Sequence, residues 1–112
     1  MIAYYEGLMY LAMRQPKKAE EAFESYKKYP STISIPERNR IEIINHRGRA
    51  AIQANNLEQY SFCLEEGLLG AIAIQSKKRF DEAFNIYHQE IPKEWLQERR
   101  IKQIAESFQL ER

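Results

Sequence analysis

The groups in this sequence that could do chemistry are few, and their setting limits what they can do. The one cysteine, Cys63, stands inside the apolar run from Tyr60 to Ile74. A reactive thiol needs an accessible, electropositive setting, so Cys63 reads as a buried thiol. His46 and His88 are the only histidines. Neither has a Cys, His or Asp at metal-ligand spacing, so no metal site is expected. His88 falls late in a helical stretch, where a cation complements the helix dipole. Glu65 and Glu66 are adjacent, and adjacent residues on a helix point to different sides, so they make no acid–base pair. No glycine-rich loop is present to cradle a phosphate. The sequence therefore points to binding rather than a reaction, with no enzyme activity and no cofactor expected.

The candidate binding groups lie on two helical stretches. Asn45, Arg49 and Gln53 recur every four residues on the face opposite Ile44, Gly48 and Ala51. If the first and third helices line a concave face, Tyr5, Leu8 and Ala12 stand beside them. An Asn–Arg stripe can hold a peptide carboxylate or backbone through charge-assisted hydrogen bonds, and Tyr4, Tyr5 and Tyr10 add the aromatic character of interfaces. The same stripe also reads as an ordinary wet helix face. Lys77-Lys78-Arg79 reads as a solvated turn that complements the negative end of the preceding helix. Ala51 to Gly67 superficially imitates a helix-turn-helix, but its second helix exposes Glu58, Glu65 and Glu66 where a recognition helix needs basic and polar groups. Seventeen basic against sixteen acidic side chains leave a net charge of +1. That balance lacks the field of a nucleic-acid binder, and no direct binding to nucleic acid is expected.

The elements that must position these residues are helices. Apolar residues make up 44% of the 112 and charged residues 29%, which suits one globular domain with a modest core. Helix 1 is expected over Ile2–Arg14, ending at Gln15-Pro16, and helix 2 from there to Lys28, ending at Tyr29-Pro30. Ser31 to Pro36 is the longest loop. Ser34-Ile35-Pro36-Glu37 has the form of a capping box, and helix 3 follows to Ala54. Asn55-Asn56 is a turn. Helix 4 runs from Leu57 to about Gln75 and is apolar nearly all round, which predicts a buried spine with neighbours on several sides. Gly67 and Gly70 inside it mark close approach of another helix. Helix 5 spans Arg79–Gln89. A last helical segment opens at Ile91-Pro92, runs to Phe108 and breaks near Glu98-Arg99. No alternating apolar run suggests a strand.

A repeat lies within these helices. Gly7, Tyr10, Ala19 and Phe23 are spaced 3, 9 and 4 apart, as are Gly48, Ala51, Tyr60 and Leu64, and Ala71, Ile74, Ala83 and Tyr87. Each set reads as a helical hairpin in which a small residue lets the second helix lie close, and such hairpins need stacked neighbours. The copies begin 41 and then 23 residues apart, against about 34 for a regular array, so helix 4 is expected to serve two hairpins at once.

The runs Tyr4-Tyr5-Glu6-Gly7-Leu8-Met9-Tyr10-Leu11 and Lys18-Ala19-Glu20-Glu21-Ala22-Phe23, followed by Pro30, resemble a tetratricopeptide repeat. Ala3 stands where the family has an aromatic residue, and Arg14 where it has a glycine. Asn56-Leu57-Glu58-Gln59-Tyr60, Leu64-Glu65-Glu66-Gly67, Ser76-Lys77-Lys78-Arg79-Phe80, Pro92 and Trp95-Leu96 resemble the C-terminal helical-repeat region of bacterial transcriptional regulators with an N-terminal helix-turn-helix domain. The resemblance implies an all-α array of antiparallel helical hairpins, a tetratricopeptide-like right-handed solenoid of five to six helices. It implies a protein- or peptide-binding module, the sensor or oligomerisation region of such a regulator. A free-standing scaffold or dimerisation module is the alternative, and a DNA-binding domain a weaker one.

Ile2, Tyr5, Leu8, Met9 and Leu11 are in helical register at once, with no capping residue before them, so residues 1–112 are expected to be one domain within a longer chain. Ile2, Tyr5, Leu8, Met9 and Ala12 form an apolar strip through which a homodimer is expected, while Arg99, Arg100, Lys102 and Glu106 make a solvated end. A single cysteine fits a reducing compartment, hence a cytoplasmic location. No apolar run approaches the ~20 residues that span a bilayer, no basic leader marks a signal peptide, and no membrane partner is expected.

Overall fold

The computed structural model describes residues 2–25 and 36–110, with side chains from Tyr4 onward. The described residues are helical throughout, with no strand. Six α-helices follow in order: α1 (Ile2–Ala12), α2 (Pro16–Ser25), α3 (Glu37–Gln53), α4 (Leu57–Ala73), α5 (Lys77–Gln89) and α6 (Arg99–Phe108). A 3-10 turn, Lys93–Gln97, precedes α6. Tyr29-Pro30, the loop from Ser31 and the expected cap Ser34 lie outside the described residues. α3 starts at Glu37 behind Pro36, and Pro36 makes no side-chain capping bond.

One turn geometry joins most of these helices. Arg14, Asn55, Gln75 and Gln109 all adopt φ 56°, the left-handed conformation that closes a helix. After each, the next amide reaches back five residues: Gln15 to the Tyr10 carbonyl, Asn56 to Ala51, Ser76 to Ala71 and Leu110 to Ala105, all at 2.8 Å. Two of these turns lead straight into a side-chain cap. Asn56 accepts from the Gln59 amide and Ser76 from the Arg79 amide, which satisfies amides that the first helical turn leaves open. The turns end α1 and α4 two residues earlier than the sequence suggests, and they start α5 at Lys77. Lys77-Lys78-Arg79 is therefore the first turn of α5 and not a connecting turn.

Helices joined by these short turns pack against each other: α1 on α2, α3 on α4, and α4 on α5. Contacts also join alternate helices, namely α1 with α3, α3 with α5, and α4 with α6. The small residues explain the close approach. A Cβ on Gly7 would stand 2.3 Å from the Phe23 ring, whereas one on Gly48 would meet the Cys63 Cβ at an ordinary contact of 3.4 Å. One on Gly67 would lie 2.3 Å from the Asn45 Oδ1, and one on Gly70 would lie 2.9 Å from Ile41. The first two hairpins of the repeat thus pack as their spacing predicts. The third is out of register. Gly7 and Gly48 each stand seven residues before the left-handed turn residue, whereas Ala71 stands four before Gln75, so Leu68 holds the equivalent place.

The larger core joins Tyr60, Leu64 and Leu68 of α4 to Ala83 and Tyr87 of α5, Trp95, and Ile101, Ile104 and Ala105 of α6, closed by Leu110. A smaller one joins Leu11, Ala19 and Phe23 to Ile43 and Ala50 of α3. Arg47 clamps α2 to α3, donating to Glu20 at 2.6 Å and also to Glu24. Helix α4 is not covered all round. Phe62, Leu69 and Ile72 are 50–55% exposed, because α3, α5 and α6 reach three sides of it and none lies over the fourth.

Candidate functional site

Helix α3 carries a polar line, Glu42, His46, Arg49 and Gln53, with α1 on one flank and α5 on the other. At the C-terminal ends of these helices the line opens into a groove of about 470 Å³, edged by Ala12, Arg14, Arg49, Gln53 and Glu90. Arg49 donates from Nε to Glu90 at 3.1 Å, and its Nη1 lies 3.5 Å from the His46 Nδ1. Gln53 donates from Nε2 to the Leu11 carbonyl at 3.0 Å. Its Oε1 is buried without a hydrogen-bond partner among the described residues. Arg14 is exposed at the rim.

Away from the groove the line sinks into the protein as a charged seam. Arg79 on α5, 7% exposed, pairs with Glu42 at 3.2 Å and with Glu82. Burial opposes its charge, but the Glu82 hydrogen bond and the two carboxylates outweigh that and hold the guanidinium above its ordinary pKa. Tyr4 on α1 stands beside Glu42. Its phenol is pushed above the usual tyrosine range, by burial first and then by the Glu42 and Glu82 charges. His46 stands beside the Tyr4 ring at 5.9 Å and stacks on Phe23 at 6.4 Å. Burial, then the Arg49 charge, lowers its pKa. The seam thus ties α1, α3 and α5 together through one arginine between two carboxylates, an arrangement whose desolvation is tolerable only because every charge has a partner.

The residues that the sequence nominates divide between these regions. Ala12, Arg49 and Gln53 meet at the groove. Leu8 is half-buried against the smaller core. Tyr5 is 67% exposed on the outer side of α1. Asn45 is not part of a wet stripe. It is 4% exposed and turns inward, donating to the Arg79 carbonyl at 3.1 Å and to Glu82 at 3.3 Å. A four-residue step along a helix drifts by about 40°, and that drift carries position 45 from the groove toward α4. Sequence reasoning missed Glu42, His46, Arg79, Glu82 and Glu90. The line Glu42, His46, Arg49, Gln53, spaced 4, 3 and 4, follows one helix face more closely than the even steps of four do, and it could have been read.

The remaining chemical groups stay apart from this site. Cys63 is buried on α4, with the Gln59 amide nitrogen 3.6 Å from its sulfur. His88 lies 3.1 Å from the Leu110 carbonyl and beside the Phe84 ring, so it fastens the segment that follows α6 to α5. Among the described residues no cluster of His, Cys, Asp or Glu could hold a metal ion, and no helix is long and apolar enough to cross a membrane. What the site offers is donors and acceptors set side by side in an open groove. No protein-family model, curated protein or solved structure matches the chain.

Proposed function

We propose that this chain is a non-enzymatic helical-repeat module that binds an extended protein or peptide segment in the groove between α1, α3 and the end of α5. The observation that carries the proposal is the groove itself, where Arg14, Arg49, Gln53 and Glu90 present donors and acceptors beside apolar Ala12. An extended peptide needs both, since each residue carries an N–H and a C=O. The architecture in this reading is a tetratricopeptide-like solenoid. Identical left-handed turns and contacts between alternate helices support it. The parent in this reading is a bacterial cytoplasmic transcriptional regulator, of which the module is the sensor or oligomerisation region, and that part rests on sequence resemblance alone. A scaffold or dimerisation module is the second reading, favoured by the exposed apolar side of α1. A DNA-binding role is weaker, because the outer side of α4 presents Phe62, Leu69 and Ile72 where a groove-reading helix needs polar groups.

The test is selection of unstructured peptides from a display library on the wild-type chain. Enriched peptides are expected to bind with micromolar affinity and to lose at least ~10-fold when Arg49→Glu reverses the groove charge. Failure to enrich any sequence, or peptides that bind Arg49→Glu equally well, would refute the groove as the site.

A further inference from the structure

The outer side of α1 is built as a stacking face. The first two repeat units are 41 residues apart, which pairs each residue of α3 with one of α1. The face of α3 that receives α1 and α2 is made by His46, which stacks on Phe23 and stands beside Tyr4, by Ala50 in the smaller core, and by Gln53, which bonds Leu11. Their counterparts on α1 are Tyr5, Met9 and Ala12. These are uncovered: Tyr5 is 67% exposed and Met9 49%, and Met13 beyond them is 54% exposed. Positions that are buried or partly covered on α3 are open and apolar on α1. Ile2 belongs to the same expected strip, but its side chain lies outside the described residues.

We infer that a second copy of this chain covers the α1 face, with the two α1 helices antiparallel about a two-fold axis at Met9. The spacing carries the choice of occupant. Tyr5 and Met13 stand four residues to either side of Met9, about 6 Å along the helix and about 40° to opposite sides. A two-fold axis at Met9 therefore sets Met13 of one copy over Tyr5 of the other, and Met9 against itself. Thioether against aromatic ring is a favourable contact, and Ala12 leaves room for close approach. Glu6 is the only charged residue in α1, so pairing buries little charge. Head-to-tail stacking lacks a matching surface, since α6 exposes Arg99, Arg100, Lys102 and Glu106. A patch of three large side chains falls at the small end of interfaces, so association in the range of tens to hundreds of micromolar is expected. Ala12 edges both surfaces, but Tyr5, Met9 and Met13 do not line the groove and Arg49 stands on α3, so Met9→Glu and Arg49→Glu test the two readings separately.

Sedimentation equilibrium from about 10 µM to about 1 mM tests the pairing. The wild type is expected to approach a dimer, and Met9→Glu to weaken it at least ~10-fold by facing two carboxylates across the axis. Mild oxidation separates the register from general stickiness. Met9→Cys lies on the axis and is expected to cross-link to its own copy. Met13→Cys is expected not to, since its two copies stand about 12 Å apart along the helices, beyond the ~7 Å that a disulfide spans. A wild type that remains monomeric leaves the face to another partner and overturns the inference. So does association that survives Met9→Glu, or equal cross-linking at positions 9 and 13.

Discussion

A methyl group added at Gly67 would test the junction of α3, α4 and α5. The Cβ would stand 2.3 Å from the Asn45 Oδ1 and 3.5 Å from its Cγ, so the Asn45 amide would have to move. That amide cannot simply turn over, because its nitrogen donates to two acceptors, the Arg79 carbonyl and Glu82. Displacing it breaks two buried or part-buried hydrogen bonds, one of them to a carboxylate, at about 1–3 kcal/mol and strains the packing by a further ~1–3 kcal/mol. Alanine's better helix propensity returns about 1 kcal/mol. Gly67→Ala is therefore expected to lose about 3 kcal/mol. Asn45→Ala breaks the same two bonds and is expected to lose about 2 kcal/mol. The double variant loses these bonds once, has no clash and keeps the propensity gain, so its loss is expected near 1 kcal/mol. The sum of the singles is about 5 kcal/mol, which leaves a coupling of roughly 4 kcal/mol, well beyond the few tenths expected of independent sites. Urea unfolding followed by helical circular dichroism would measure all four proteins. If the two substitutions add within about 0.5 kcal/mol, Asn45 and Gly67 do not meet and the account of this junction is wrong.

Two further outcomes follow from buried polar groups. The Tyr60 hydroxyl is buried without a hydrogen-bond partner among the described residues, and burial raises its pKa well above the usual tyrosine range. Tyr60→Phe is therefore expected to leave stability within about 0.5 kcal/mol of wild type or to raise it, and a loss above ~1 kcal/mol in thermal or urea unfolding would mean that the hydroxyl is bonded. His46 has its pKa lowered from 6.5 by burial and then by Arg49, so the unfolded chain binds a proton more readily. Its contribution is complete above about pH 6.5 and is lost as pH falls through the lowered folded value. His46→Phe is expected to flatten stability against pH between about 7 and 5, and an unchanged slope would show that His46 is not the group responsible.

Helices and turns were legible because they depend on local chemistry. Asn55-Asn56 announces a turn, Pro16 a helix start, and the unusual glycines of α4 a close neighbour, and Gly67 and Gly70 do meet α3. The side-chain caps at Asn56 and Ser76 were open to the same reading and were missed. The fate of Lys77-Lys78-Arg79 was not legible. Three cations in a row look like a wet turn. Glu82 three residues on is a local helix partner of Arg79, but only the packing of α5 on α3 brings Glu42 to its other side and buries it. The apolar ring of α4 misled for a related reason. Periodicity reports which faces could be buried, not how many neighbours arrive, and Phe62, Leu69 and Ile72 stay open.

The two unlike seams explain why α3 sits at the centre. On one side it meets α4 through glycines, where backbone approaches side chain and Gly67 cedes its space to Asn45. On the other it meets α1 and α5 through charge, with Glu42 shared by Tyr4 and Arg79. The glycine seam fixes distance, because a Cβ added at Gly67 or Gly70 collides with α3. The charged seam fixes register, because Arg79, held by Glu82 on its own helix, reaches Glu42 of α3 from one position along α5 only, and its 8% side-chain exposure leaves little solvent to compensate a slip. Asn45 belongs to both seams, with its oxygen over Gly67 and its nitrogen on Arg79 and Glu82. The groove lies at the far end of the same helix, where the seam meets solvent and Arg49 and Glu90 are each about one-third exposed. Its spacing is thus set by contacts that never touch a ligand. A substitution at Asn45 should therefore disturb the separation of α3 from α5 at the groove as well as stability.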